Sequence, residues 1–182
     1  IYAQMPSDFK TYVEPYVGGG AVMLGYKFKP GQKVVINDLD KSLISGWRKL
    51  KNPPPLGDIK RYDIRNLETL NKIKDSKGGG PLKDLVKYLI MSNNTFGNTG
   101  MGKVYKDVNP YNKLKNIPEY QKKLKGVTIL NQNALSVINK YNNSGTFLFL
   151  DPPYEKSTKS LYKKNEMNFE ALATTLRKFK GK

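Results

Sequence analysis

Apolar positions along the chain form two kinds of run. Short stretches rich in β-branched and aromatic residues occur at 11–17, 34–36, 127–130 and 146–150, with helically spaced stretches between them. The first, Thr11 to Val17, ends in Gly18, Gly19 and Gly20, and 21–27 then predicts a short helix. Val34, Val35 and Ile36 make a compact strand closed by Asn37 and Asp38. Asp40 is placed to cap a helix carrying Leu43, Ile44 and Trp47 on one face, and Pro53, Pro54 and Pro55 stop it. This β-α-β-α order opens a parallel sheet. The middle differs. Residues 58–75 predict one helix, with Ile59, Tyr62, Ile64, Leu67, Leu70 and Ile73 roughly in phase. A glycine-rich break follows at 76–81, then a helix at 82–91, an irregular polar stretch at 92–113 and a short basic helix at 118–125. Nothing in 53–125 continues the alternation, so this segment is expected to be an insertion. The sheet then resumes with a strand at 127–130, a helix at 134–141 and a fully apolar strand at 146–150. A basic loop and a helix over 168–179 complete the chain, which stops where another strand is due.

Composition narrows the chemistry. The 182 residues suit one domain, or one domain with an insertion. There is no Cys and no His. A disulfide framework, a thiolate zinc site, a cysteine nucleophile and a histidine base are therefore excluded. No metal site is expected. No apolar run reaches the length of a membrane span and no signal peptide is visible, so an intracellular protein, neither secreted nor membrane-bound, is expected. The net charge is +17, from 28 Lys and 4 Arg against 15 acidic residues. A lysine-rich composition alone would produce an excess of this kind, but it also fits a nucleic acid backbone as partner. Lys neutralises phosphates as a point charge, whereas Arg supplies the fork that reads guanine edges. Phosphate tracking is thus better provided for than base reading.

Two candidate sites lie at the carboxyl ends of expected parallel strands, where open α/β sheets bind ligands. The first is Glu14-Pro15-Tyr16-Val17-Gly18-Gly19-Gly20, whose glycines let a ligand approach the backbone. Its spacing is not that of the dinucleotide fingerprint, and a tight strand-helix turn would read the same way. Asp38, at the end of the next strand, strengthens it, because an acidic residue there takes ribose hydroxyls. It would serve equally as a helix cap. The second site is Asp151-Pro152-Pro153-Tyr154. Successive prolines hold the backbone extended and remove two amide donors. A carboxylate, free carbonyls and an aromatic ring then converge at one strand end. That set suits a planar group bearing an NH2, with Asp151 and the Pro152 carbonyl accepting its hydrogens and Tyr154 on its face.

Together and in this order, these motifs resemble the Dam-type adenine-specific DNA methyltransferases over essentially all of residues 11–180. Asn94-Thr95-Phe96-Gly97-Asn98-Thr99-Gly100 resembles the Asn- and Gly-rich part of that family's DNA-recognition insertion. The resemblance implies a Rossmann-like sheet formed by 1–52 and 126–182, with a mainly helical DNA-recognition insertion at 53–125. It implies that Glu14, Pro15, Tyr16, Gly18, Gly19, Gly20, Asp38 and Asp151 line an S-adenosylmethionine pocket. Asp38 would take the ribose hydroxyls and Tyr16 would lie near the methionine moiety. Asp151, Pro152, Pro153 and Tyr154 would act on an adenine flipped from duplex DNA, whose N6 amine receives the methyl group. Asn94, Phe96, Asn98, Lys103, Lys106, Lys113 and Lys115 would contact DNA. A restriction endonuclease in the same system is a further partner of the kind the resemblance implies.

The sequence departs from the family in three respects. Nothing before Thr11 matches the Lys- and Gly-containing motif that closes over the cofactor. Asn133-Ala134 stands where an Asp-Phe pair near the cofactor adenine is usual. The chain is expected to be cut short at both ends. Alternatives stay open: an N4-cytosine methyltransferase, which more often carries Ser before the Pro-Pro pair, and a catalytically inactive DNA-binding subunit. Protein glutamine methyltransferases, with Asn in that position, fit the charge poorly.

Overall fold

Each apolar run becomes a short strand of a single parallel sheet: β1 Thr11–Glu14, β2 Lys33–Asn37, β3 Thr128–Leu130 and β4 Thr146–Leu148, in the order β3-β2-β1-β4. The structure, a computed structural model, describes residues 1–94, 109–152 and 168–182, and only the backbone over 91–94. Val13 of β1 pairs with Val35 of β2 and Leu148 of β4, and Ile36 of β2 with Ile129 of β3. Lys182 exchanges two backbone hydrogen bonds with β4, donating to the Thr146 carbonyl and accepting from Leu148 N–H, both 2.9 Å.

The chain divides into two compact units, 1–44 with 126–182, and 45–125. In the first, alternate residues of β1 face opposite sides of the sheet. Val13, with Val35 and Leu148, packs against Val137 and Ile138 of α7 (Ala134–Lys140) and Leu172 of α8 (Phe169–Arg177). Tyr12 on the other face joins an aromatic cluster, with ring centroids 5.1 Å from Phe28 and 6.0 Å from Phe147. Residues 21–25 form the one-turn helix α1 (Ala21–Gly25). Asp40 caps α2 (Lys41–Lys51) as expected, its Oδ1 accepting from the Ser42 and Leu43 amides at 2.7 and 3.2 Å.

The second unit is helical among its described residues: the latter half of α2, α3 (Leu67–Asp75), α4 (Gly80–Asn94), α5 (Pro110–Lys115) and α6 (Ile117–Leu124). Trp47, Leu70, Leu85, Ile90, Leu114 and Leu124 are fully or almost fully buried in it. Gly46 of α2 lies against the Tyr88 ring of α4, where an added Cβ would fall 2.1 Å from a ring carbon.

Two sequence expectations are corrected here. The helix over 58–75 is broken into a 3-10 turn, Ile59–Tyr62, and α3. Asp58 caps the turn, and Asn66 starts α3 afresh by accepting from Thr69 N–H at 2.9 Å. These two side chains offer the backbone amides local partners, so helical phase alone does not join the segments. The stretch 92–113 is also less irregular than expected: α4 runs on to Asn94 and α5 opens at Pro110. Asn109 is its N-cap, accepting from Tyr111 N–H at 3.0 Å, and proline at the first helical position is pre-set for a helix start. The remainder, 95–108, lies outside the described residues, as do residues 153–167, where a basic loop is expected.

Candidate functional site

The strand order fixes where a ligand crevice opens. From β1 the chain moves one way to β2 and β3, then returns to the other side of β1 as β4. The reversal falls between β1 and β4, and open α/β sheets bind ligands beyond the carboxyl ends of strands at such a switch point. The segments leaving those two ends are Pro15 to Gly20 and Phe149 to Pro152. Both candidate motifs thus begin at the switch point.

The loop after β1 turns sharply. Gly20 N–H bonds to the Val17 carbonyl at 2.7 Å, and Gly18 and Gly20 take φ of +46° and +63°. These are left-handed conformations that L side chains adopt at a cost. A Cβ at Gly18 or Gly19 would meet nothing within 4 Å, so the loop presents open space to an approaching ligand. Pro15 and Gly20 are buried, Tyr16 is half-buried and Gly19 exposed. Burial pushes the Tyr16 hydroxyl up to about 12, so it is a neutral phenol near pH 7.

Asp38 closes one side of this loop. Its Oδ2 accepts from Gly18 N–H at 3.1 Å and its Oδ1 from Asp40 N–H at 3.0 Å. The Leu39 N–H is a third donor to this carboxylate, which keeps acceptor capacity for one more. Burial raises its pKa, with the backbone donors opposing. Asn37 beside it is fully buried, and its side chain is committed on three sides. The amide donates to the Pro15 carbonyl at 2.9 Å and the Gln132 carbonyl at 3.0 Å, and Oδ1 accepts from Gln132 N–H at 2.9 Å. Asn131 reaches back to the Asp38 carbonyl at 2.8 Å. The glycine loop and the turn after β3 are therefore fastened to the same strand end. Asn133, which replaces the acidic residue usual in the resembling family, uses its Oδ1 to cap α7 at Leu135 N–H, 2.9 Å.

Glu14 is the last residue of β1 and only 3% exposed. Its Oε2 accepts from the Tyr12 hydroxyl at 2.8 Å, and the Met23 N–H also donates to it. Burial pushes the carboxyl up to about 7, the two donors pull it down, and the nearby Asp151 carboxylate adds a smaller upward push. Asp151 itself is exposed, and Pro152 half-buried. A buried carboxyl group at the end of β1 and an exposed one beyond the end of β4 thus lie close enough for the Asp151 charge to act on Glu14.

The other expected contacts separate into described and undescribed residues. Lys113 is half-buried and Lys115 exposed on α5, with the Lys115 ammonium 4.7 Å from the centroid of the Tyr111 ring. Asn94 ends α4 with only its backbone described. Phe96, Asn98, Lys103, Lys106, Pro153 and Tyr154 lie outside the described residues. Sequence alone marks Tyr12 only as part of a β-rich run and Asn37 only as the neighbour of Asp38. Each has a polar end buried in the sheet, where an unpaired polar atom is costly, and that burial is set by the assembled strands.

The parallel sheet order and the helices between its strands define a Rossmann-like α/β protein. A family model of the D12 class N6 adenine-specific DNA methyltransferases matches residues 1–78 and 82–182, and the chain belongs to that family. It is similar to the Type II methyltransferase M1.LlaDCHI of Lactococcus lactis subsp. cremoris, 27% identical over 180 residues, covering 82% of this chain and 58% of the relative. It is also similar to the Type II methyltransferase M.MjaIII of Methanocaldococcus jannaschii, at 28% over 186 residues, covering 84% and 61%. A third relative, the Type II methyltransferase M.CviBI of Paramecium bursaria Chlorella virus NC1A, is 25% identical over 165 residues, covering 83% and 62%. The chain spans about three fifths of the length of these curated relatives.

Proposed function

We propose that the protein transfers a methyl group from S-adenosylmethionine to the N6 amine of adenine in double-stranded DNA. The observation that carries this reading is the meeting of Glu14 and Asp151 at the switch point, beside an open glycine turn braced by Asp38. The residues present fit the cofactor. The space above Gly18 and Gly19, which a Cβ would enter unopposed, admits a ligand close to the backbone. Asp38 keeps acceptor capacity for a ribose hydroxyl after accepting from the Gly18, Asp40 and Leu39 amides. Glu14 and Asp151 offer negative charge to the cationic methionine end. Asp38, Glu14, Tyr16 and the glycine loop would hold the cofactor, which supplies an electrophilic methyl group when bound.

Asp151 and the Pro152 carbonyl act on the substrate amine. The N6 lone pair of adenine is delocalised into the ring, so the amine is a poor nucleophile. Two acceptors aimed at its hydrogens favour a pyramidal nitrogen with a localised lone pair. That geometry belongs to the transition state, so the hydrogen bonds assist the chemistry and not only binding. Asp151 is open to solvent and accessible to an incoming base. Tyr154 is assigned, from its place in the motif, to stack on the extruded adenine. Such stacking is worth roughly 1–3 kcal/mol and offsets part of the cost of flipping. The segment 45–125 carries 18 Lys and Arg against 7 Asp and Glu, which supports its assignment to the DNA backbone.

The test is methylation of mixed-sequence duplex DNA with methyl-labelled cofactor, followed by identification of the modified base and its context. N6-methyladenine is the expected product. N4-methylcytosine would move the protein to the cytosine-amine enzymes, and absence of label with intact duplex binding would favour a non-catalytic DNA-binding subunit.

A further inference from the structure

The Tyr12 hydroxyl has no role in the chemistry above, yet it sits at the base of the crevice. Tyr12 is fully buried, and its hydroxyl donates to Glu14 Oε2 at 2.8 Å. The two side chains lie on one face of β1, two residues apart, as the strand period requires. The ring is held by Phe28 edge-on at 5.1 Å and by Phe147 of the adjacent strand. Its hydroxyl therefore has a fixed position.

We propose that Tyr12 is a positioning residue for cofactor binding, whose hydroxyl holds the Glu14 carboxylate toward the crevice. This rests on the reading of the β1 loop as an S-adenosylmethionine site. A cation needs Glu14 ionised, and the surroundings oppose that. Burial favours the neutral acid, and Asp151 beyond β4 repels a second negative charge. Among the described residues, the Tyr12 hydroxyl from β1 and the Met23 N–H from α1 are the donors that stabilise the anion. The Tyr2 hydroxyl is the further titratable group near Tyr12. Below about pH 7 the free protein holds a proton on Glu14, which a cationic ligand must displace. Affinity for the cofactor then rises with pH and levels off once Glu14 is ionised. Without the Tyr12 hydroxyl the anion loses a donor, and the levelling shifts to higher pH.

The experiment is calorimetric titration with S-adenosylmethionine from pH 6 to 8.5 on the whole protein and on Tyr12→Phe, Glu14→Gln and the double variant. Val137→Ala, in the core on the opposite face of the sheet, serves as a packing control that leaves the Tyr12 hydroxyl in place. Tyr12→Phe is expected to bind about tenfold more weakly at neutral pH, the scale of one hydrogen bond to a charged group. Its pH midpoint should move up, whereas Val137→Ala should lower thermal stability and leave the midpoint unmoved. In the Glu14→Gln background the same change should alter affinity less than about twofold, because the partner charge is gone. An equal loss in both backgrounds, or an unmoved midpoint in Tyr12→Phe, overturns the proposal and leaves the cofactor site standing. Should Tyr12→Phe fail to fold, Glu14→Gln decides beside the parent: a pH midpoint that is the same in both overturns the proposal, because Glu14 then does not set it. A parent protein that binds no cofactor at any pH overturns the site reading itself.

Discussion

Burial of Glu14 makes a proton part of the folding equilibrium. In the native protein the carboxyl titrates near 7, whereas in the unfolded chain it returns to its ordinary value near 4.5. Between those values the native state holds a proton that the unfolded state has released. Stability is therefore highest below pH 4.5 as far as this residue is concerned, and it falls as pH rises toward 7. The shift corresponds to a contribution on the order of 3 kcal/mol. Asp38, also raised by burial, acts in the same direction. Urea unfolding of the cofactor-free protein at pH 5 and pH 8 checks this: Glu14→Gln should gain stability relative to the parent at pH 8 and not at pH 5. Asp151 is the opposite case, exposed and free to serve a substrate. Asp151→Ala should abolish methyl transfer while changing duplex affinity less than about threefold; substantial residual turnover would remove it from the chemistry. The places of Asp38 and Asp151 beyond β2 and β4 were legible from sequence, because each follows an apolar strand at a local turn signal. The Tyr12–Glu14 pair was not, because burial decides the meaning of both residues and burial is a property of the assembled sheet.

Among elements, strands and their crossovers were the more legible, since each strand is a compact β-branched or aromatic run bounded by turn residues. The helical segment was less so. Residues 58–75 carry helical phase throughout, but Asp58 and Asn66 redirect backbone amides to their own side chains and start two separate elements. Asn109-Pro110 carries the same kind of signal, and a reading by hydrophobic phase overlooks it. The three-way fastening by Asn37 joins segments about 22 and 95 residues away, a contact that no local pattern reports. Two glycines separate structural from ligand-facing roles of an element. Gly46 in α2 has no room for a methyl group beside the Tyr88 ring, so Gly46→Ala should cost about 1–3 kcal/mol by overpacking. Its cofactor affinity should stay unchanged. Gly19 has open space and a backbone that is not left-handed, so Gly19→Ala should leave the urea midpoint where it is. Its methyl would stand where the cofactor is proposed to lie, weakening binding about tenfold, or ~1.4 kcal/mol. The crossed result, with Gly19→Ala unfolding early and binding normally, would place the ligand elsewhere.

At the scale of the whole molecule the charge is unevenly shared. The segment 45–125 carries a net +11, and the sheet-bearing remainder +6 over a longer stretch of chain. In that helical unit most cations are lysines, and several pair weakly at the surface, as Lys72 with Glu68 at 2.7 Å and Lys49 with Asp84 at 3.5 Å. Exposed pairs of this kind are worth under about 1 kcal/mol, so most of the positive charge remains available to phosphates. A chain that neutralises about six phosphates releases as many counterions, giving a log–log slope of affinity against salt of roughly −5. The protein should bind duplex DNA with a slope at least this steep and with little sequence preference in its salt-dependent part, because lysine contacts carry charge without base geometry. Lys113→Ala and Lys115→Ala should each reduce the slope by about one and weaken specific and non-specific duplexes alike. Fluorescence anisotropy between 50 and 200 mM salt measures both quantities. Variants that lower affinity at an unchanged slope would mean that α5 supports the DNA-binding surface without touching phosphate. A flat plot for the parent would move the DNA face away from the basic helices altogether.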